Sequence, residues 1–466
     1  MRQGALAGFM CSLLLFAACQ PAGRYPSAKI PGKEVDDETK ERFPREWAWM
    51  KPTPAAFDVP IVFVADSNPE WHKLPAFWNH FPPPPAGRTT CHLGQTPLGA
   101  AAAMVLAGHG SAVKIKVPRG LPDPTGNIPV ANPPTLAAWQ LGKSLFYDRL
   151  LVVSQFKTLS CADCHDPKHG FCENQALTEY GSINTPSLIN CVYNKHQFWD
   201  GRVTFLEQVV TRELNDEKVA GERRAQDHIW SGLVPRLRDD PRYRERFKIV
   251  FGVPPTQDNI AKALATFMRT ILSGNSVYDR AQAARGKDKV LTAKQFETAL
   301  TRADLDSLGK GKKAETAEKL AKGHDLFHGK ARCQACHFGP LFTDHDFHNI
   351  GVEDIDPIFE TGRLAQVPLG MKENRLRGAY KTPTLRNLSR TEPYTHTGMF
   401  STLEKVVDFF DRGINWQDSL ATQLLQGPRE AQRLNLSKEE IGDLVLFLRA
   451  MDGDAVDPIL LAPSKK

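Results

Sequence analysis

The chain has 466 residues, 41% of them hydrophobic and 24% charged, with a net charge of +6. That length carries two or three packed domains, and the composition is that of an ordinary globular protein. The two signs of charge are mixed along the chain with no basic stripe, which excludes a nucleic-acid surface. Beyond the first twenty residues, nothing is long and apolar enough to span a bilayer.

Residues 1–19 read as an export signal. Arg2 precedes the apolar run ALAGFMCSLLLFAAC, which ends at Cys19 and is too short to act as a spanning helix. The ending Phe16-Ala17-Ala18-Cys19 resembles a lipoprotein cleavage box, with Cys19 as the lipidated first residue; ordinary signal-peptidase cleavage is the alternative. Either way a periplasmic location is expected, with a lipid anchor as the only membrane contact. Residues 20–130 are rich in proline, including the run Pro82 to Pro85, with scattered aromatics. They are expected to form an irregular extension with short helices and carry no chemistry that can be named.

Two stretches then raise the same chemistry. LSCADCHDPKHGF holds Cys161, Cys164 and His165; ARCQACHFGPLF holds Cys333, Cys336 and His337. Four cysteines at such spacings can hold zinc, and one pair can act as a redox dithiol. The histidine directly after each pair argues against both. Cys-x-x-Cys-His is the attachment site of c-type haem: the thiols close thioethers with the vinyl groups, and the imidazole is aimed at the iron. Two covalent haems are expected, and attachment after export agrees with the signal. The surroundings repeat as well. LGKSLFYD, with Gly142, Leu145 and Phe146, precedes the first site; AKGHDLF, with Gly323, Leu326 and Phe327, precedes the second. An aromatic follows each, Phe171 or Phe342. Each half looks like one small module of amphipathic helix followed by haem site.

The remaining periodicity is helical. Ile260, Leu264, Phe267 and Ile271 share a face within Asp258–Leu272. Ser401-x-x-Glu404 and Ser437-x-x-Glu440 are capping boxes that open two later helices. Alternating strand patterns are scarce. The fold class expected is all-α: two cytochrome c-type haem domains with long loops, at 131–300 and 301–456, after the irregular extension.

From about Pro134 to Asp454 the chain resembles the bacterial di-haem cytochrome c peroxidase and MauG family. The resemblance is carried by LGKSLFYDRLL, both haem sites, INTPSLINCVYNKHQFWDGR, FTDHDFHNIGV, RGAYKTPTLRNLSRTEPYTHTG and STLEKVVDFFDRG, in the family's order. It implies that the first haem is the peroxidatic one, where hydrogen peroxide binds, and that the second relays electrons. It implies that Trp199, in FWDGR, carries electrons between them. It implies a calcium ion held by the Asn184 side chain and the backbone carbonyls of Thr391 and Pro393, oxygens that suit a hard cation. The reductant would be a small periplasmic cytochrome or cupredoxin, or a protein side chain as in MauG-like maturation.

Three departures from the family's pattern bear on the chemistry. The loop from His165 to Asn184 has only His169, too close to His165 to fold back as a removable ligand, so the first haem is expected to react without reductive activation. The family's Gln and Glu, ten and twenty residues after the Trp, fall on Val209 and Val219. The side chains at hand are Gln208, one residue off, and Glu213 and Glu217; Gln208 and Glu217 are the candidates for the distal acid–base roles. The second haem's distal ligand position falls on Phe410, which cannot bind iron, and Met399 is the nearest thioether in sequence. The function expected is a di-haem oxidoreductase acting on hydrogen peroxide; the alternative is a di-haem electron carrier without peroxidase activity.

Overall fold

In a computed structural model the structure describes residues 59–75, 112–153, 158–173, 183–214, 226–286, 290–309, 311–352, 361–414, 418–427, 430–431 and 433–461. The export signal and Glu217 lie outside them. All of the described residues belong to one compact unit, Arg45–Lys466.

Helices dominate. The first, α1 (Leu136–Phe146), starts where the Thr135 side chain accepts a bond from the Ala138 amide, satisfying one of the orphan donors of the first turn. After α2 (Leu206–Glu213), α3 (Gln226–Asp239) and α4 (Pro241–Phe251) comes α5 (Gln257–Met268), which packs across α1. The face expected from periodicity, Ile260, Leu264, Phe267 and Ile271, is fully buried there. Gly142 makes the crossing possible: a Cβ on it would lie 3.1 Å from Phe267 Cβ and inside contact distance of the Ala263 carbonyl. A second core gathers α6 (Val277–Arg285), α7 (Ala293–Ala299), α8 (Lys313–His328), α9 (Leu403–Asp411) and α10 (Lys438–Arg449) around Leu320, Phe327, Phe296 and Phe447. Gly323 does in α8 what Gly142 does in α1: a Cβ there would lie 2.7 Å from Phe447 Cβ and collide with the Asp443 carbonyl of α10. The repeat seen in sequence is thus a repeat of helix crossings. Helices α6 and α7, which precede residue 301, pack into this second core.

The Ser437–Glu440 capping box forms at the start of α10 as expected. The one expected at Ser401 does not. Thr402 is the cap of α9, its hydroxyl accepting from the Lys405 amide, while the Ser401 hydroxyl accepts from the Lys405 ammonium.

Among the described residues strands occur only as short pairs: β1 (Ile61–Val64) with β2 (Val113–Lys116), β3 (Val152–Val153) with β4 (Thr158–Leu159), β5 (Phe347–His348) with β6 (Tyr380–Lys381), and β7 (Leu425–Gly427) with β8 (Glu430–Ala431). The β1–β2 pair is parallel and lies within the segment expected to be irregular. It is anchored by the buried Trp71, whose indole N–H donates to the Val117 carbonyl at 2.7 Å, and by the Leu136 amide bonding the Val59 carbonyl at the start of α1. Among the described residues no helix is long and apolar enough to cross a membrane.

Candidate haem-binding site

Cys161–Cys164 form a single helical turn after Ser160, whose amide and hydroxyl both donate to Asp163 Oδ2 at 2.7 Å. Directly after it, His165 Nδ1 lies 3.0 Å from the Phe171 carbonyl oxygen. The second site repeats this geometry, with His337 Nδ1 3.0 Å from the Phe342 carbonyl oxygen. A carbonyl only accepts, so Nδ1 carries the proton in both rings and Nε2 keeps its lone pair for a metal. Burial pushes the His165 pKa down to about 4 and lowers that of His337 as well, which keeps both imidazoles neutral. A carbonyl on the far nitrogen is the arrangement that fixes tautomer and ring orientation in metal-bound histidines.

Phe171 and Phe342 present those carbonyls from a left-handed backbone, with φ of 55° and 52°. For a non-glycine residue this costs about 1 kcal/mol or more and persists where surrounding contacts over-determine it. They do so here. The Ser187 hydroxyl donates to the Gly170 carbonyl at 2.5 Å beside Phe171. Around Phe342, Arg386 Nε donates to the Pro340 carbonyl at 2.7 Å, the Thr384 hydroxyl to Leu341, and the Thr343 hydroxyl to Thr382. Arg386 is itself pinned by both oxygens of the buried Asp279, at 2.8 Å each. Sequence reasoning noted the two aromatics but not that their carbonyls orient the imidazoles.

Cys164, His165, Cys333, Cys336 and His337 all open onto one cavity of about 720 Å³, walled largely by apolar side chains. A large apolar space with cysteines and a neutral histidine at its wall fits a porphyrin. It does not fit zinc. Among the described residues the thiols do not converge; the only group of three His, Cys, Asp or Glu ligands within 4.8 Å is Cys336, Asp344 and His348. Cys336 belongs to the attachment motif, and the Asp344 carboxylate accepts from His348 Nε2 at 2.8 Å.

Trp199 is on the same wall. Its indole N–H donates to the Asn184 carbonyl at 2.8 Å, and its carbonyl accepts from the Lys381 amide at 2.8 Å. Its ring meets His396 edge-on at 6.3 Å, and His396 stacks on Tyr380 at 3.7 Å. The face of α2 formed by Leu206, Val209 and Glu213 also lines the cavity, as spacing of three and four residues requires. Gln208 faces the other way. It is exposed, and its amide oxygen accepts from the Thr204 and Phe205 amides at the start of α2. Leu403, Val406, Val407 and Phe410 form the cavity-facing side of α9. Met399 is 54% exposed and is not part of the cavity wall.

Asn184 is buried, and its Nδ2 donates to the carbonyls of Pro393 at 2.7 Å and Thr395 at 3.0 Å, while Oδ1 has no partner. Exchanging the two ends of the amide would bring three oxygens together, a set that no hydrogen bond satisfies and a hard cation does. Thr395, rather than Thr391, supplies the second carbonyl of this cluster.

A family model described as di-haem cytochrome c peroxidase matches residues 136–289. The chain is 30% identical over 351 residues to the methylamine utilization protein MauG of Methylophilus methylotrophus, covering 74% of this chain and 89% of that protein. It is 30% identical over 349 residues to the cytochrome c551 peroxidase of Nitrosomonas europaea, covering 72% and 87%. Among solved structures, a MauG-like protein associated with microbial copper homeostasis superposes with a TM-score of 0.55 at 26% identity, covering 74% of this chain and 96% of that one. The chain belongs to the di-haem cytochrome c peroxidase and MauG family, and membership implies two c-type haems.

Proposed function

We propose that the chain is an exported di-haem oxidoreductase that reduces hydrogen peroxide to water, taking two electrons and two protons per peroxide. The observation that carries this is the single cavity lined by residues of both Cys-x-x-Cys-His motifs, by Trp199 and by Glu213. When bound, the haems supply the iron at which peroxide is taken up and the path by which electrons reach it. The His165 haem is the peroxide site and the His337 haem the relay. His165 offers Nε2 because the Phe171 carbonyl holds the Nδ1 proton. Glu213 serves as the general acid–base group, taking a proton from the incoming peroxide and returning it to the departing oxygen. It is preferred to Gln208, whose amide caps α2. Trp199 carries electrons between the two halves. Asn184, Pro393 and Thr395 hold a calcium ion at the base of the Trp199 indole. The chain works in the periplasm, tethered through a lipid on Cys19, with a small redox protein or a protein side chain as reductant.

The competing reading is an electron carrier without peroxide chemistry. Glu213→Gln separates the two. With both haems retained by intact mass, steady-state peroxide turnover should fall about 10²-fold or more, the usual worth of a positioned proton-transfer group. Unchanged turnover removes Glu213 from the mechanism, and no turnover in the unaltered protein with any small donor favours the carrier.

A further inference from the structure

We infer that Lys381 anchors a haem carboxylate, its ammonium forming the ion pair with a propionate of one of the two haems. This rests on the two-haem reading above. Lys381 ends β6, where its backbone is fixed twice, by pairing with Phe347 of β5 and by its amide bonding the Trp199 carbonyl. Its side chain lines the cavity. A c-type haem is tied to the protein through its vinyl edge and carries two anionic propionates elsewhere on the ring. An otherwise apolar cavity must neutralise them, because a carboxylate taken out of water is stable there only when paired.

Three other cations on the wall are already committed. Arg386 is held by both oxygens of Asp279, Arg202 is paired with Asp200, and His348 bonds Asp344. Arg332 is exposed beside the second attachment site. Lys381 differs: among the described residues no carboxylate pairs with it, and burial alone pushes its pKa down to about 8. Its neighbourhood sets the positive charges of Lys195 and Arg363 against the negative charges of Asp344 and Asp346. Burial and then the charges of Lys381 and Lys195 push His345 down to about 4, and burial with Arg363 and Lys381 lowers His196. Asp346 and Asp200 act on Arg363, whose pKa burial nevertheless lowers. His345 Nδ1, near enough to feel the Lys381 charge, is buried with no hydrogen-bond partner. A lysine without a carboxylate partner on the wall of an otherwise apolar haem cavity is the complement of a haem carboxylate.

The test uses the exported holoprotein with Lys381→Gln and Lys381→Arg, each checked by intact mass for two haems and titrated potentiometrically in the Soret band. Removing a positive charge from beside a propionate stabilises the oxidised haem. Lys381→Gln should shift one haem's reduction potential to more negative values and leave the other in place, and Lys381→Arg should keep the original value. Potentials that do not move, or that move together, overturn the assignment. Should Lys381→Gln not accumulate, a crystal structure of the unaltered holoprotein decides. Nζ within hydrogen-bond distance of a haem carboxylate supports it, and Nζ bonded elsewhere refutes it. A mass lacking two haems would defeat the two-haem reading itself; two haems with unmoved potentials would defeat only the role of Lys381.

Discussion

Gly323→Ala tests whether the helix crossing beneath the second haem site is as tight as the packing shows. In an exposed helix interior, Gly to Ala stabilises by about 1 kcal/mol, because glycine gives up more backbone freedom. At Gly323 the added methyl would lie 2.7 Å from Phe447 Cβ and inside the Asp443 carbonyl, below the 3.0 Å that Cβ contacts keep. One of these is backbone and cannot rotate away, so α8 and α10 must move apart around the buried Leu320, Phe327 and Phe447. Overpacking of this kind costs about 1–3 kcal/mol, and the backbone obstacle places the site at the top of that range. Subtracting the propensity gain leaves a net loss of about 2 kcal/mol. Gly442 is the internal control: it lies in α10, and a Cβ there meets nothing within 4 Å. Urea unfolding of the holoprotein, followed by far-ultraviolet circular dichroism and the Soret band, should show Gly323→Ala less stable and Gly442→Ala equally or more stable than the parent. Equal stabilisation by both would refute the crossing argument.

Trp199→Phe should leave two haems bound and slow electron passage between them, read by stopped-flow oxidation of the reduced protein with peroxide; equal rates at both haems would take Trp199 off the path. Oxidised protein should show high-spin electron paramagnetic resonance signals from both haems, because Phe410 offers no lone pair and Met399 is exposed. Phe410→Met should convert one of them to low spin, and a low-spin haem in the parent that vanishes in Met399→Ala would reverse this assignment. Stripping calcium with a chelator should slow inter-haem transfer and quench or shift Trp199 fluorescence, since Asn184 both gathers the Pro393 and Thr395 carbonyls and accepts from the indole N–H. A chelated protein with unaltered transfer and emission would show that the cluster holds no functional ion.

The helices that make the two cores were legible because their apolar spacing is local: the Ile260–Ile271 face and the Ser437 capping box are read within a few residues. The haem-attachment motifs were legible for the same reason. What the sequence did not reveal depends on distant partners. Strands β1 and β2 pair across more than forty residues, so neither run signals the other. The Phe171 and Phe342 carbonyls act through a backbone conformation that no side chain advertises. On α2, counting from Trp199 fell on Val209 and the neighbouring Gln208 was taken as the polar candidate, whereas helical phase turns Val209 and Glu213 to the cavity and Gln208 to solvent. Ser401 and Thr402 are both competent caps, and only the register of α9 against its core decides between them.

Peroxide chemistry at the first haem is read by mixing the oxidised, as-isolated holoprotein with a small excess of hydrogen peroxide and following the Soret band by stopped flow. No removable histidine lies between His165 and Asn184 apart from His169, whose Nδ1 lies 3.0 Å from the Asp166 carboxylate. A rapid, peroxide-dependent spectral change is therefore expected without prior reduction, reversed by an added electron donor and slowed in Glu213→Gln. Slow bleaching alone, or a reaction that appears only after one haem has been reduced, would contradict it.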